Sequence, residues 1–491
     1  MNHALIFSVR CENYERGAGA HRIATFLRKH DWDIEVVDFS AFWELEELKE
    51  FVRSRVTADT KFIGFSTFFN YWPEHMNTFI SWIRTQHPTV PTICGGQSVA
   101  LINAKGIDYW IDSYGEQAVL AVVRKIIGVD TTPIKYDFQH LNKGKFISAL
   151  HSYPAYPMDS YATLLEQRDY VEPYEWLTTE FSRGCRFKCD FCNFPILGVK
   201  GDYSRTSEDF ELEMRHNYDN FGVKHYYVAD DTFNDRVDKI VKFADVAENL
   251  DFKPYFSGFI RADLAIVKPE SWEHLVRLNF GAQYYGIESL NHDSRKVISK
   301  GMDPDKIKKG LLDMKAYFSP KMDYRGTVSL IVGLPFETKA SWKATTDWLL
   351  TNWTEENTIV FPLDIPVGNA KPSEFSKKMF KYNLREMSPD DLKKNYPSWY
   401  NKQLGNFHQA NQMIWEHDTM DLPTAHSLVT EFEQHNNKFK CSSFDLHLGF
   451  LEDYNLDVSG SKSKLKTYSL THEYRTKFLK TYINRKLNHR T

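Results

Sequence analysis

The chain has little of several things. Only six of its 491 residues are cysteine, too few and too unevenly placed for a disulfide framework. No apolar run approaches the ~18 residues that a membrane-spanning helix needs. Met1–Arg10 has neither a basic n-region nor a small-residue cleavage site, so no secretory signal is expected. Excess charge of one sign is also missing. There are 61 Lys and Arg against 65 Asp and Glu, a formal net charge of −4, which leaves no global field toward nucleic acid or an anionic membrane. No internal repeat, low-complexity tract, Ser-His-Asp arrangement or phosphate-cradling glycine loop stands out. What is present is an ordinary globular balance, 42% hydrophobic and 26% charged, with aromatics high at 15%. A cytoplasmic, reducing setting is expected.

Hydrophobic patterning divides the chain. Residues 1–130 alternate short apolar runs with helical periodicity. Strands are expected at Ala4–Val9, Ile34–Phe39, Lys61–Thr67, Thr92–Gly96 and about Tyr109–Ser113, with helices between them. That alternation predicts a parallel sheet covered on both faces, a Rossmann-like, flavodoxin-like α/β domain that binds ligands beyond the carboxyl ends of its strands. Residues 131–175 carry several prolines and weak periodicity and read as a linker. A second alternating series over 176–370 has candidate strands at Leu177–Arg183, His225–Ala229, Tyr255–Ile260, Gln283–Ile287, Thr327–Val332 and Ile359–Asp364. Six β/α units predict a partial TIM-like (β/α)6 barrel with its site at the strands' carboxyl ends. Residues 371–491 read as a mainly helical cap. The stretch Lys462–Arg490 holds nine Lys and Arg against one Glu, with Tyr468, Tyr474, Phe478 and Tyr482 interspersed. Such a pattern fits a helix with its rings turned inward, or rings free to stack on bases.

Three of the six cysteines, Cys185, Cys189 and Cys192, fall within eight residues, directly after a predicted strand. Cys11, Cys94 and Cys441 are scattered and read as ordinary thiols. Three thiolates on one short loop can converge on one iron–sulfur cluster and leave one iron open to an exogenous molecule. A structural zinc site would want four closed ligands, with Cys441 or a His completing it. Zinc or buried free thiols is thus the competing reading.

The run Cys185-x-x-x-Cys189-x-Phe191-Cys192 resembles the cluster-binding loop of radical S-adenosylmethionine (SAM) enzymes, including the aromatic Phe191 before the third cysteine. The resemblance implies a [4Fe–4S] cluster on the three cysteines. SAM chelates its fourth iron, and one-electron cleavage yields a 5′-deoxyadenosyl radical. It also implies that a one-electron reductant such as flavodoxin or ferredoxin serves the cluster. Other stretches follow in the family's order. Asp230 and Asp231 end the second strand, where relatives contact the SAM amino group; an N-cap role is the alternative. Arg261 ends the third strand and is placed to pair with the SAM carboxylate, or to bridge to Asp263. Glu288 and Ser289 end the fourth and resemble a ribose-contacting segment, with Lys300 beyond. Gly333-Leu-Pro-Phe-Glu337-Thr resembles the turn after the fifth strand that lets backbone approach adenine, with Phe336 where that family has Gly.

The first domain resembles the cobalamin-binding domain that precedes many radical SAM cores. Cobalamin carriers show Asp-x-His-x-x-Gly, then Ser-x-Leu, then Gly-Gly. This chain has Gly19-Ala-His21-Arg-Ile-Ala24, then Ser66-Thr-Phe68, then Gly95-Gly96, with 41 and 26 residues in the two gaps. Gly19 stands where the carriers have the Asp that orients the ligating His, so His21 is either a lower axial cobalt ligand or an ordinary helix-start His. The resemblance implies a cobalamin-dependent methyltransferase acting on an unactivated carbon of a small molecule or peptide. The alternatives are a radical SAM enzyme without cobalamin, performing rearrangement, cyclisation or oxidation, and a non-catalytic metal-stabilised binding module. Neither a membrane nor a nucleic-acid partner is expected.

Overall fold

A computed structural model describes residues 2–9, 16–67, 72–97, 99–137, 143–154, 158, 161–187, 189, 192, 203–230, 232–354, 356–365, 377–401, 413–435 and 464–488. Two compact units emerge, one of residues 1–180, 203–227 and 470–491, the other of residues 181–202 and 228–469.

In the first unit, β1 (Asn2–Val9), β2 (Trp32–Val37), β3 (Thr60–Thr67), β4 (Thr92–Gly96), β5 (Tyr109–Asp112) and β6 (Lys145–Ser148) form one parallel sheet in the order β2-β1-β3-β4-β5-β6. Between them run α1 (Ala18–Arg28), α2 (Leu45–Arg55), α3 (Glu74–Gln86) and α4 (Glu116–Ile126), with α5 (Ala149–Ser152) after β6. The order of the first five strands is the flavodoxin-like doubly wound one. The strands are almost continuously apolar because helices cover both faces. On one face Ile6, Ile34 and Ile111 pack with Ala24 and Leu27 of α1 and Val119 and Val123 of α4. On the other, Phe7 meets Phe51 of α2 and Phe79 of α3 edge-on, at 6.2 and 5.2 Å. Leu27 is fully buried, and truncating it to Ala would cost about 2–5 kcal/mol. The final helix, Lys464–Asn488, contributes the buried Phe478, Tyr482 and Ile483. The Phe478 and Tyr482 rings are thus turned inward and not available to stack on bases, while the side chains of Tyr468 and Tyr474 lie outside those described.

The second β/α series begins with β7 (Trp176–Thr179), β8 (Ser182–Arg183), β9 (Tyr203–Ser204), α6 (Ser207–Phe221) and β10 (His225–Val228), where β7 and β10 are neighbours. In the second unit follow α7 (Val237–Glu248), β11 (Tyr255–Ile260), α8 (Ala262–Val267), α9 (Ser271–Leu278), β12 (Ala282–Glu288), α10 (His292–Val297), α11 (Pro304–Phe318), β13 (Arg325–Val332), α12 (Lys339–Asn352) and β14 (Asn357–Pro362). Strands β11 to β14 are parallel in sequence order, and Val228 packs against Gly258 of β11. This is the strand succession of an open, partial barrel. Phe256, Tyr285, Ile287, Val328 and Leu330 are buried. An aromatic cluster anchors the chain just before the cysteine loop: Phe181 stacks on Phe243 of α7 at 4.5 Å and meets Phe233 and Phe256 edge-on.

Past residue 370 the described chain is mainly helical, with helices Pro389–Asn395 and Leu422–His435 besides the last one. It also carries a small antiparallel sheet of β15 (Arg385–Glu386), β16 (Trp415–His417) and β17 (Met420–Asp421). Among the described residues no helix is long and apolar enough to cross a membrane.

Candidate functional site

The cysteine loop is fixed at its root by Asp230, two residues past β10. One carboxylate oxygen accepts from the Phe181 N–H at 2.7 Å and the other from the Ser182 hydroxyl at 2.6 Å. Asp230 is buried, and that burial pushes its pKa up to about 6 against the pull of Lys239 and these hydrogen bonds. Lys239 Nζ, itself buried, donates to Ser182 Oγ and the Thr232 carbonyl, both at 3.1 Å, and pairs with Asp235 at 2.6 Å. Asp230 thus positions the strand that launches the cysteines, a role distinct from an N-cap. Phe191 and Asp231 lie outside the described residues.

The sulfurs of Cys185 and Cys189 meet partners from neighbouring strand ends. Cys185 Sγ lies 3.1 Å from Thr232 Oγ1, and Arg261 Nη1 donates to Cys189 Sγ at 3.4 Å. The Cys192 N–H donates to the Cys189 carbonyl at 3.0 Å, closing a turn of the loop. Cys185, Cys189 and Cys192 are not in disulfides. Among the described residues, no group of three or more His, Cys, Asp or Glu is gathered to hold a metal ion. A cubane seats its thiolates on separate corners, farther apart than the ligands of a single ion. Three thiols on one loop, with a cation at one and a hydroxyl at another, suit that donor set.

Arg261 is held from three sides. Its Nε and Nη2 grip Asp263 at 3.0 and 2.5 Å, its guanidinium carbon lies 3.8 Å from the Phe187 ring centre, and its backbone exchanges two hydrogen bonds with the Asn234 side chain. It bridges to Asp263 and reaches the cysteine loop together.

At the end of β12 a register irregularity between Gly286 and Glu288 leaves Glu288 at φ 62°, in the left-handed region. Glu288 Oε1 accepts from Lys300 Nζ at 3.0 Å, and Lys300 also donates to the Gly286 carbonyl. Lys300 is therefore a buried partner and not a solvated side chain. Ser289 Oγ accepts from the Asn291 N–H at 3.0 Å. At the end of β13, Gly333 adopts φ +93°. Its N–H donates to Glu337 Oε2 at 2.7 Å, and its carbonyl accepts from His417 Nε2 at 3.0 Å. Burial raises the Glu337 pKa to about 8, opposed by hydrogen bonds from Gly333 and Ser289. Phe336, which stands where the resembled turn has Gly, takes φ 70° with its ring exposed, a conformation costing roughly 1–2 kcal/mol for a residue with Cβ.

In the first unit, small residues cluster at the carboxyl ends of β1, β3 and β4. A Cβ on Gly19 would stand 3.3 Å from Ser66 Oγ, one on Gly17 would collide with Ser8, and Gly96, at φ +153°, faces the Thr67 carbonyl. Gly95 lies against Ile111. In this glycine cradle the missing side chains let neighbouring chain segments approach closely at the strand ends. His21 is buried on α1. Its Nε2 lies 3.0 and 2.9 Å from the two oxygens of Asp38, which also takes Arg16 at 2.7 Å, and its Nδ1 lies 3.8 Å from Asp169. Although burial works the other way, His21 and Arg16 hold the Asp38 carboxyl down at about 2.

Thr232, Asn234, Lys239, Trp415 and His417 were not singled out from sequence. Each acts through a partner distant along the chain, so no local pattern announces it.

Residues 179–349 match the family model described as Radical SAM superfamily. The chain is 29% identical over 136 residues to "Uncharacterized methyltransferase sll1242" of Synechocystis sp. (strain ATCC 27184 / PCC 6803 / Kazusa), a match covering 26% of this chain and 25% of that one. The chain thus spans about a quarter of the length of the curated relative it matches. Among solved structures it is similar to the radical S-adenosylmethionine methyltransferase TsrM from Kitasatospora setae with cobalamin and [4Fe–4S] cluster bound, at TM-score 0.68 and 14% identity over 97% of this chain and 99% of that one. It is also similar to the cobalamin-dependent S-adenosylmethionine radical enzyme OxsB in its apo form, at TM-score 0.60 and 13% identity over 100% and 81%. At these identities the likeness is one of fold: an α/β chain with parallel sheets and a helical C-terminal region.

Proposed function

We propose, from the premise that residues 179–349 form a radical SAM domain, that this chain is a cobalamin-dependent radical SAM methyltransferase. The observation that carries the reading is the placement of Cys185, Cys189 and Cys192 on one loop, with Thr232 and Arg261 brought to the sulfurs of Cys185 and Cys189 from the ends of neighbouring strands. Cys185, Cys189 and Cys192 would hold a [4Fe–4S] cluster, whose chemistry when bound would be one-electron reduction of the SAM sulfonium. The chain's own residues prepare for it. Asp230 and Lys239 brace the root of the loop, Arg261 places positive charge beside one cysteine, and Glu288, Ser289 and the Gly333 turn stand at successive strand ends, where ribose and adenine would lie. That TsrM was solved with cobalamin and cluster, and also with tryptophan and a SAM analogue, supports assigning the glycine cradle of the first unit to cobalamin, which supplies the methyl group. The substrate is a small molecule or peptide, the reductant a flavodoxin or ferredoxin, and the setting the cytoplasm.

The test is anaerobic reconstitution of the full chain. About four irons with acid-labile sulfide are expected, and corrinoid absorbance should copurify after incubation with hydroxocobalamin. Dithionite and methyl-labelled SAM should move label to the corrinoid. Cys189→Ala should lose the sulfide and any 5′-deoxyadenosine formation. Zinc without acid-labile sulfide would instead favour the metal-stabilised module. Cluster without corrinoid would leave a radical SAM enzyme of another reaction type.

A further inference from the structure

The Gly333 turn, which ends β13, is held from outside the segment 179–349 that matches the family model. Strand β16 sends Trp415 and His417 to the same side, as alternate residues of a strand do, and their rings stack with centroids 5.4 Å apart and planes 2° from parallel. Trp415 occupies the space a side chain at residue 333 would need: a Cβ on Gly333 would collide with its ring. Its indole N–H donates to the Leu363 carbonyl at 2.7 Å, and the Leu363 N–H donates to the Val332 carbonyl at 2.8 Å. His417 completes the grip. Its Nδ1 accepts from the Thr419 N–H at 3.3 Å, so the proton sits on Nε2, which donates to the Gly333 carbonyl at 3.0 Å. Glu337 takes the Gly333 N–H. Both polar groups of a glycine in the left-handed region are therefore engaged, one by its own turn and one by the C-terminal hairpin.

We propose that Trp415 and His417 are positioning residues for SAM: they fix the course of the Gly333 turn at the carboxyl end of β13, beside which the adenine of SAM would lie. The inference rests on the reading of the chain as a SAM-binding enzyme, and it makes the hairpin 415–421 part of the cofactor site although it follows the matched segment. A turn free to relax would pay an ordering cost on binding that the hairpin has already met. Burial lowers the His417 pKa and keeps the ring neutral, the form that its one-donor, one-acceptor placement requires.

The experiment measures the dissociation constant of SAM by anaerobic equilibrium dialysis on the reconstituted full chain, with iron and sulfide assayed in each sample. His417→Leu removes the donor to Gly333 and should weaken SAM about tenfold at unchanged iron content, the consequence of leaving a carbonyl unpaired. His417→Gln restores an N–H at similar reach and should return the affinity to within about twofold of wild type; this rescue is not expected of a residue that only supports the fold. Trp415→Phe keeps a ring beneath Gly333, drops the bond to Leu363 and should weaken SAM severalfold. It serves as the test if His417→Leu does not fold. Equal affinity in wild type and His417→Leu, or in wild type and Trp415→Phe where that variant stands in, overturns the inference while leaving the enzyme reading intact. A wild type that holds the cluster but does not bind SAM overturns the enzyme reading itself.

Discussion

Arg261 donates to the Cys189 sulfur at 3.4 Å while Asp263 and Phe187 fix the rest of its guanidinium. A cation and a hydrogen bond at a cluster ligand stabilise the extra negative charge of the reduced state, so they raise the reduction potential. Arg261→Gln should therefore shift the midpoint of the reconstituted cluster to more negative values, read by a redox titration monitored by electron paramagnetic resonance (EPR). Arg261→Lys keeps the charge but cannot grip Asp263 with two nitrogens, and should fall between. An unchanged or more positive midpoint in Arg261→Gln would remove Arg261 from the electrostatics of the cluster.

Glu337 gives a pH dependence with a definite sign. Its folded pKa, pushed up to about 8, lies above the ordinary value of 4.5. The folded state therefore keeps a proton that the unfolded state releases between those values. The stabilisation is complete below about pH 4.5 and declines as pH rises toward 8. Glu337→Gln mimics the protonated acid, can still accept from the Gly333 N–H, and should remove this contribution. Urea unfolding at pH 6 and pH 8 should show wild type losing more stability between the two than the variant. Equal losses would show that Glu337 does not carry the proton.

Much of this architecture was legible in the sequence, and the exceptions have physical causes. The apolar runs Thr92–Gly96 and Tyr255–Ile260 form strands with those bounds, because a strand buried on both faces needs only a short continuous hydrophobic stretch. The four-residue β6 was not legible: it lies among prolines, and only its pairing along β5 makes it a strand. The three cysteines announced themselves by spacing. The assignment of Asp230 to Phe181 and Ser182, and of His417 to Gly333, did not, because each depends on residues 48 to 84 positions apart meeting in the fold. The single departure noted in the Gly333 turn, Phe336, takes the left-handed backbone a Gly would have taken, with its ring turned to solvent.

In sequence His21 falls where the cobalamin-carrier pattern has its His, but its Nε2 is already bonded to Asp38 and its Nδ1 faces Asp169. Both nitrogens look into a buried set of carboxylates that also holds Arg16. The expected outcome is that cob(II)alamin bound to the full chain shows no nitrogen splitting from a protein imidazole in its EPR spectrum. His21→Gln should leave that spectrum unchanged while lowering stability, because Asp38 loses a buried partner. A nitrogen splitting that disappears in His21→Gln would place the imidazole on cobalt and require the contact with Asp38 to break on binding.

Tyr482 links the end of the chain to the first unit. The Asp38 N–H donates to its hydroxyl at 2.9 Å, and its ring lies edge-on to Phe39 and Trp43. One turn further on, Lys486 Nζ donates to Glu35 Oε1 at 3.1 Å, and Arg55 bonds both Glu35 and the Lys486 carbonyl. Tyr482→Phe keeps the ring and removes only the hydroxyl, leaving a buried backbone N–H unpaired, which costs about 1–3 kcal/mol. Lys486→Met leaves Glu35 with Arg55 but without the lysine and should also destabilise, because a buried carboxylate loses a neighbouring positive charge. Urea unfolding of the full chain should show both midpoints falling below wild type. Midpoints equal to wild type in both variants would mean that the last helix adds nothing to the first unit, and that its inward rings and its lysine are held without consequence for stability.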